Sequence, residues 1–398
     1  MSENNLVEKL HDNLFDFEND LSTERALELC SGHLQGSWSE ASLKDISVNV
    51  IRGGFVNRLF LIQNNKTNDK VLIRLYGGKF LPQDNQLRSI GYEGEVLVFQ
   101  LMAEKSIGPK LLGVFDGGRL EEYREGCRTP LKEDINDLQT MASLAKQLAR
   151  LHSCRLPFNK QPKDYIKLTR DNFEKGWTQY KDFVQSIPFP LDRPHVNYQE
   201  RLDSVLSFDY KETLEWLEKE MKVIPSKVVF SHNDMNIMNC LIDPNKSGDE
   251  KAILLDFELC GYNFRGADIG CHFGNRRFDL EGVIKQGNSF EDVFLLRSPH
   301  PSEENRRHFI EAYLLEVKKS MDNNNEMDPK IDHMDHILME AELYGALYSL
   351  FMLSYMVNSN EFKEMAFSMG HPVVMVSTMM EGVTEKKDIL KDLKKRLM

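Results

Sequence analysis

Lys227-Val228-Val229-Phe230-Ser231-His232-Asn233-Asp234-Met235-Asn236-Ile237-Met238-Asn239 runs from a β-branched and aromatic segment straight into polar residues. A second apolar segment, Ala252-Ile253-Leu254-Leu255, ends in Asp256-Phe257-Glu258. Short apolar runs that open into polar or acidic tails predict strand, polar loop, strand, acidic loop. His-Asn-Asp alone also fits a polar β-turn, and an apolar run ending in Asp fits an ordinary strand end. The Asn239 spacing and the strand-borne Asp-Phe-Glu decide between these readings. They bring an amide and two carboxylates from different loops toward one point.

That layout suits phosphoryl transfer from a nucleotide. Such chemistry needs a carboxylate to take the proton of the attacking hydroxyl, and an amide oxygen and a second carboxylate to hold Mg²⁺ against the phosphates. Protein kinases spell this H-R-D-x-x-x-x-N followed by D-F-G; here it is H-N-D-x-x-x-x-N followed by D-F-E. Asp234 is the expected catalytic base. Asn239 and Asp256 are the expected metal ligands, with Glu258 on a second ion.

The text continues Leu259-Cys260-Gly261-Tyr262-Asn263-Phe264-Arg265-Gly266-Ala267-Asp268-Ile269-Gly270-Cys271-His272-Phe273. It resembles the choline/ethanolamine kinase signature, in which D-F-E is followed by Y-N, R-G, D-I-G and H-F. The resemblance covers roughly residues 23–365. It implies an α+β, protein-kinase-like two-lobed fold, with a small β-rich N-lobe over 1–122 and a larger, mostly helical C-lobe over 123–398. It implies Mg²⁺ and ATP as cofactors, choline or ethanolamine as acceptor, a phosphomonoester product that enters phospholipid head-group synthesis, and a homodimer. Asn236 joins the nucleotide-binding residues on the same ground.

Working outward toward the N-terminus, residues 1–45 read as helical and peripheral, with Thr23 as a candidate cap. Strands follow over 46–75, where Ile46, Val48 and Val50 alternate with polar residues. Arg52-Gly53-Gly54-Phe55-Val56-Asn57-Arg58 interrupts them. Paired glycines let a backbone approach phosphate oxygens closely, although most such pairs are plain hairpin turns. Arg74, in the middle of Lys70-Val71-Leu72-Ile73-Arg74-Leu75-Tyr76-Gly77, stands where the family has its phosphate-gripping cation. Glu95, on a helix over 91–108 whose apolar face is Val96, Phe99, Leu101 and Met102, is the partner that the resemblance implies. Glu122, Tyr123 and Arg124 fall at the interlobe hinge that meets adenine.

Toward the C-terminus, residues 138–152, 303–321 and 331–357 predict helices, and a charged last helix covers 386–397. The match thins where the family builds its acceptor pocket. A quaternary ammonium has no N–H and is held by aromatic faces. The family's tryptophans on the late helix are absent, since Trp occurs only at 38, 177 and 216. Gly274-Asn275-Arg276-Arg277 also replaces the acidic and aromatic residues that usually follow H-F. Two arginines facing the pocket would repel a cation. Tyr344, Tyr348, Phe351 and Tyr355 share one helical face and are either a substitute cage or core packing. Asp268 is a second candidate for holding an ammonium. Two other readings stay open: a kinase for another amine or sugar alcohol, of the aminoglycoside phosphotransferase type, and a non-catalytic binding homologue.

Composition narrows the classes. The formal net charge of -12 argues against nucleic acid as a partner. The six cysteines have no C-x-x-C spacing, so neither a zinc site nor a disulfide framework is expected. No apolar run approaches the ~18 residues of a membrane span. The N-terminus lacks the basic-then-apolar pattern of a signal region, so a cytoplasmic protein is expected.

Overall fold

The computed structural model describes residues 21–51, 57–77, 87–278, 289–320, 327–360, 363 and 370–397. The chain divides into two compact units. One comprises Met1–Asn85 and Tyr92–Cys127, the other Gln86–Gly91 and Arg128–Met398.

The first unit is built on an antiparallel sheet. Helix α1 (Thr23–His33) precedes β1 (Ile46–Ile51), β2 (Arg58–Asn64) and β3 (Lys70–Leu75). Helix α2 (Tyr92–Glu104) follows, then β4 (Leu111–Phe115) and β5 (Gly118–Glu122), and the strand order is β1-β2-β3-β5-β4. Alternation puts Phe60, Ile62, Val71, Ile73 and Leu120 on one face, where they bury against Ala26, Leu29 and Cys30 of α1 and against Trp38. The cap of α1 is Ser22, one residue earlier than the sequence suggested; its Oγ accepts from Arg25 N at 3.2 Å. The buried face of α2 is Glu95, Val98, Phe99 and Met102, at steps of three, one and three, while Val96 is only half-buried. Glu95 therefore lies inside the unit.

Arg74 and Arg119 stand opposite each other in the β3–β5 register. Like charges directly across a ladder repel, and two acids answer them. Glu121 Oε1 accepts from Arg74 Nε at 2.6 Å and from Arg119 Nε at 2.7 Å, and Glu95 Oε1 accepts from Arg119 Nη1 at 2.5 Å. The isolated Arg74–Glu95 pair expected from sequence is thus a network of two arginines and two glutamates. Removing one member would strand a buried charge, at about 3–5 kcal/mol.

The second unit is mainly helical. Its labelled helices are α3 (Leu138–His152), α4 (Tyr165–Ser186), α5 (Arg265–Asn275), α6 (Glu303–Lys319), α7 (Met334–Asn358) and α8 (Pro372–Leu397). Two antiparallel ribbons carry the polar loops: β6 (Val228–Ser231) with β9 (Gly261–Phe264), and β7 (Cys240–Ile242) with β8 (Ala252–Leu254). Helix α7 is the axis on which α4, α5 and α8 pack. By length and composition it is apolar enough to cross a bilayer, which the sequence reading had excluded, but 89% of its apolar window is buried inside the protein. Its Glu340 and Glu342 are buried and matched by Arg265 and Arg306, as befits a core helix.

Helices α5 and α7 cross at glycine. A Cβ on Gly270 would lie 2.1 Å from the Ala341 carbonyl oxygen, and one on Gly345 would lie 2.8 Å from the Gly270 Cα. Only bare backbones fit this crossing. It sets how close α5 sits to the core.

Candidate active site

The loop between β6 and β7 carries Asp234, and its shape is over-determined. Asn233 has φ +64°, a left-handed conformation tolerated best by Gly, Asn and Asp. Its side chain is locked on both sides. Nδ2 donates to the Leu259 carbonyl at 2.9 Å, and Oδ1 accepts from Asn263 Nδ2 at 2.7 Å. Beyond Asp234, Asn236 Oδ1 accepts from Met238 N at 2.8 Å and Asn239 N at 3.1 Å, which caps a single 3₁₀ turn.

Asp234 itself is half-buried. Asn236 Nδ2 donates to Oδ1 at 2.9 Å and Asn239 Nδ2 donates to Oδ2 at 2.7 Å. Desolvation pushes its carboxyl above the ordinary aspartate range, and the Asp256 charge adds to this. The Asn236 and Asn239 hydrogen bonds and His232 pull the other way. A carboxylate made more basic, with both oxygens aimed by amides, is suited to accept a proton.

The second loop is tied to the first through Leu255. His232 Nε2 donates to the Leu255 carbonyl at 2.7 Å, and Leu255 N donates to the Asn239 carbonyl at 2.8 Å. The next residue, Asp256, has φ +60°. Its Oδ1 is buried and has no hydrogen-bond partner among the described residues, which is costly for a carboxylate unless something else satisfies it. Carboxylate oxygens of Asp256 and Glu258 come within 4.8 Å of each other. Asn239 turns its Nδ2 to Asp234, so its Oδ1 points away from that carboxylate. Hard oxygen donors with one orphaned carboxylate atom fit a divalent cation such as Mg²⁺.

Several residues matter that the sequence left unmarked. Arg88 Nη2 donates to Glu258 Oε2 at 2.9 Å, so one oxygen of Glu258 is already engaged. His152, to which no chemical role was given, supports the loop from behind. Its Nε2 donates to Asp268 Oδ2 at 3.0 Å, and its Nδ1 lies 2.8 Å from the Tyr313 hydroxyl. Tyr165 packs its ring on Phe351 at 4.8 Å. No local pattern distinguishes these residues, because their partners are 116 to 186 positions away.

Two substrate assignments are corrected. Asp268 is 1% exposed. Its Oδ2 accepts from His232 N at 2.7 Å and its Oδ1 from Asn233 N at 2.8 Å, so both oxygens hold the backbone of the loop that carries Asp234. Tyr344 donates its hydroxyl to the Ile224 carbonyl at 3.1 Å and packs its ring on Phe264 at 4.9 Å, which places it in the core. Tyr348 and Phe351 do lie near the loop. The Tyr348 hydroxyl donates to the Asn233 carbonyl, and the Tyr165, Tyr348 and Phe351 rings form one buried cluster. Tyr355 is also buried.

The remaining expected nucleotide-binding residues belong to the first unit. Arg52, Gly53, Gly54, Phe55 and Val56 lie outside the described residues. Asn57 is buried, and Arg58 opens β2. Glu122 Oε2 accepts from Lys110 N at 3.2 Å and from Arg124 Nη1 at 3.4 Å, while Lys70 Nζ sits 5.6 Å from the Tyr123 ring centre.

A family model described as choline/ethanolamine kinase matches residues 48–371. Choline/ethanolamine kinase of Mus musculus is 32% identical over 306 residues, covering 74% of this chain and 70% of its own length. The Homo sapiens protein of the same description is 31% identical over 330 residues, covering 81% and 76%. Among solved structures, choline kinase from Cryptosporidium parvum aligns with a TM-score of 0.63 at 21% identity, over 93% of this chain and 97% of its own. That likeness gives the fold as the α+β, protein-kinase-like class.

Proposed function

Since this chain belongs to the choline/ethanolamine kinase family, we propose that it transfers the γ-phosphoryl group of Mg-ATP to the hydroxyl of an amino alcohol, choline or ethanolamine. The carrying observation is the joined pair of loops. Asp234 is held by Asn236 and Asn239, and Asp256 presents an unpartnered buried oxygen.

Asp234 accepts the hydroxyl proton as the acceptor oxygen bonds to the γ-phosphorus and the bond from that phosphorus to the β,γ-bridging oxygen breaks, releasing ADP. Asn239 and Asp256, with Glu258 beside them, would hold Mg²⁺, which neutralises phosphate charge when bound. Arg74 and the 52–58 loop belong to the phosphate-binding side of this proposal, and Glu122, Tyr123 and Arg124 to the adenine side. Asp268 and Tyr348 work indirectly by fixing the loop that aims Asp234. A cytoplasmic homodimer is part of the same proposal, and light scattering of the purified chain tests the dimer.

The direct test is ADP release with choline or ethanolamine as sole acceptor. Turnover that depends on both acceptor and Mg²⁺ is expected. Asp234→Asn should reduce kcat by at least about a thousandfold with nucleotide affinity retained. Asp256→Ala should weaken Mg-nucleotide binding. Substantial phosphorylation by Asp234→Asn would sink the base assignment, and unchanged nucleotide affinity in Asp256→Ala would sink the metal assignment.

A further inference from the structure

Residues 87–91 belong to the second unit, although β3 before them and α2 after them belong to the first. Their hold on the second unit is specific. Lys163 Nζ donates to the Arg88 carbonyl at 2.9 Å. Ser89 packs on Gly261 of β9, where a Cβ would lie 2.5 Å from the Ser89 Cβ, so the segment needs glycine there. Ile90 is buried. From this seat the Arg88 side chain reaches Glu258. Its Nη2 donates to Oε2 at 2.9 Å, and both side chains are mostly buried.

Three carboxylates stand on the two polar loops, and each is treated differently. Asp234 receives two side-chain amides. Asp256 keeps a buried oxygen with no hydrogen-bond partner among the described residues. Glu258 is paired with a guanidinium. Carboxylate oxygens of Asp256 and Glu258 come within 4.8 Å of each other, so a permanent positive charge stands one carboxylate away from Asp256. A second divalent ion on Glu258 would have to displace a charge-assisted bond or sit against a like charge. The surroundings of that pair screen it poorly.

We infer that Arg88 is the resident cation of the Glu258 side of the site, standing in for a second metal ion. The chain then binds one divalent cation, on Asp256 and Asn239, where the sequence suggested a second ion on Glu258. Arg88 is a positioning residue: it neutralises Glu258 and holds one of its oxygens. Residues 87–91 thereby become part of the site, since Lys163, Gly261 and Ile90 fix where the guanidinium stands. The inference rests on the reading of these loops as a Mg-ATP site.

Mn²⁺ is a paramagnetic probe for such sites, and bound ions are counted from the loss of the free-ion EPR signal. With the chain in excess over a non-hydrolysable ATP analogue, the wild type should bind one Mn²⁺ per analogue. Arg88→Met leaves Glu258 a mostly buried carboxylate without its cation, and it should bind two. Combining Arg88→Met with Glu258→Gln should return the count to one. Two ions per analogue in the wild type overturn the inference, and so does a count of one in Arg88→Met. A count of two that persists in the double variant also overturns it, because the added ion is then not on Glu258. If no acceptor turns over, the same titration without nucleotide decides. An Mn²⁺ ion gained by Arg88→Met and lost again in the double variant keeps the inference although the kinase reading has failed, and no gain overturns it. Should Arg88→Met fail to fold, Arg88→Gln, which can still donate to Glu258 but carries no charge, should gain the second ion. No gain in that variant overturns the inference.

Discussion

The two ends of helix α5 treat a buried arginine in opposite ways. At the start, Arg265 is 1% exposed, at the end of the helix dipole that disfavours a cation. It is held there by Asp332, by Glu340 at 2.6 Å and by the Ile331 carbonyl at 2.9 Å. Desolvation opposes its charge, yet these acids keep its pKa above the ordinary value. At the other end, Arg276 has no hydrogen-bonded acid among the described residues, and burial lowers its pKa to about 10. A structural buried cation arrives with its acids, as Arg119 also does in the β-rich unit. Arg276 is buried too, with neither Nη1 nor Nη2 partnered among the described residues.

Three experiments would break or sharpen that contrast. The largest effect is expected at Asp268, between the two arginines. Asp268→Ala leaves the His232 and Asn233 amides and His152 without their acceptor. It should cost about 3–5 kcal/mol of stability and depress kcat more than nucleotide affinity, because the loop that aims Asp234 is freed. A variant with normal kcat would show that the loop holds itself. Next, Arg265→Met should destabilise by about 3–5 kcal/mol, since it strands Glu340 and weakens the hold on Asp332. Arg276→Met removes a charge that has no partner and should be neutral or raise the melting temperature in the absence of ligand. Equal losses in the two variants would erase the distinction.

A smaller effect is expected from acid. Burial raises Asp332, but Lys227 and Arg265 outweigh this and lower its pKa. A carboxylate with a depressed folded pKa contributes stability above its unfolded value, about 3.9, and loses it as pH falls through the folded value. Arg265→Met should therefore move the acid-unfolding midpoint upward, and Arg276→Met should not.

The parts legible in the sequence are those where chemistry is written locally. The His232–Asn239 segment and Asp256-Phe257-Glu258 carry their spacing in a few residues, and the alternating strands of the first unit carry their period. Asp268 was misread because its burial and its backbone partners depend on a loop 35 and 36 residues earlier. Arg119 looked like one more polar residue in Gly118-Arg119-Leu120-Glu121. Its opposition to Arg74 exists only once β3 and β5 pair. Tyr344 and Tyr348 share a helical face by period, yet one hydroxyl meets Ile224 and the other Asn233. Period defines a face and is silent on what that face meets. The Arg276 substitution was visible as a charge out of place, but its lack of acids shows only in three dimensions.

Leu255 contributes no side-chain chemistry, yet its peptide groups link the two polar loops, one to His232 and the other to Asn239. Neither loop can swing away while both links hold, so Asp234, Asn239 and Asp256 move as one body. The Leu255 amide should consequently exchange with solvent deuterium only when the whole site opens, making this one proton a clock for its breathing.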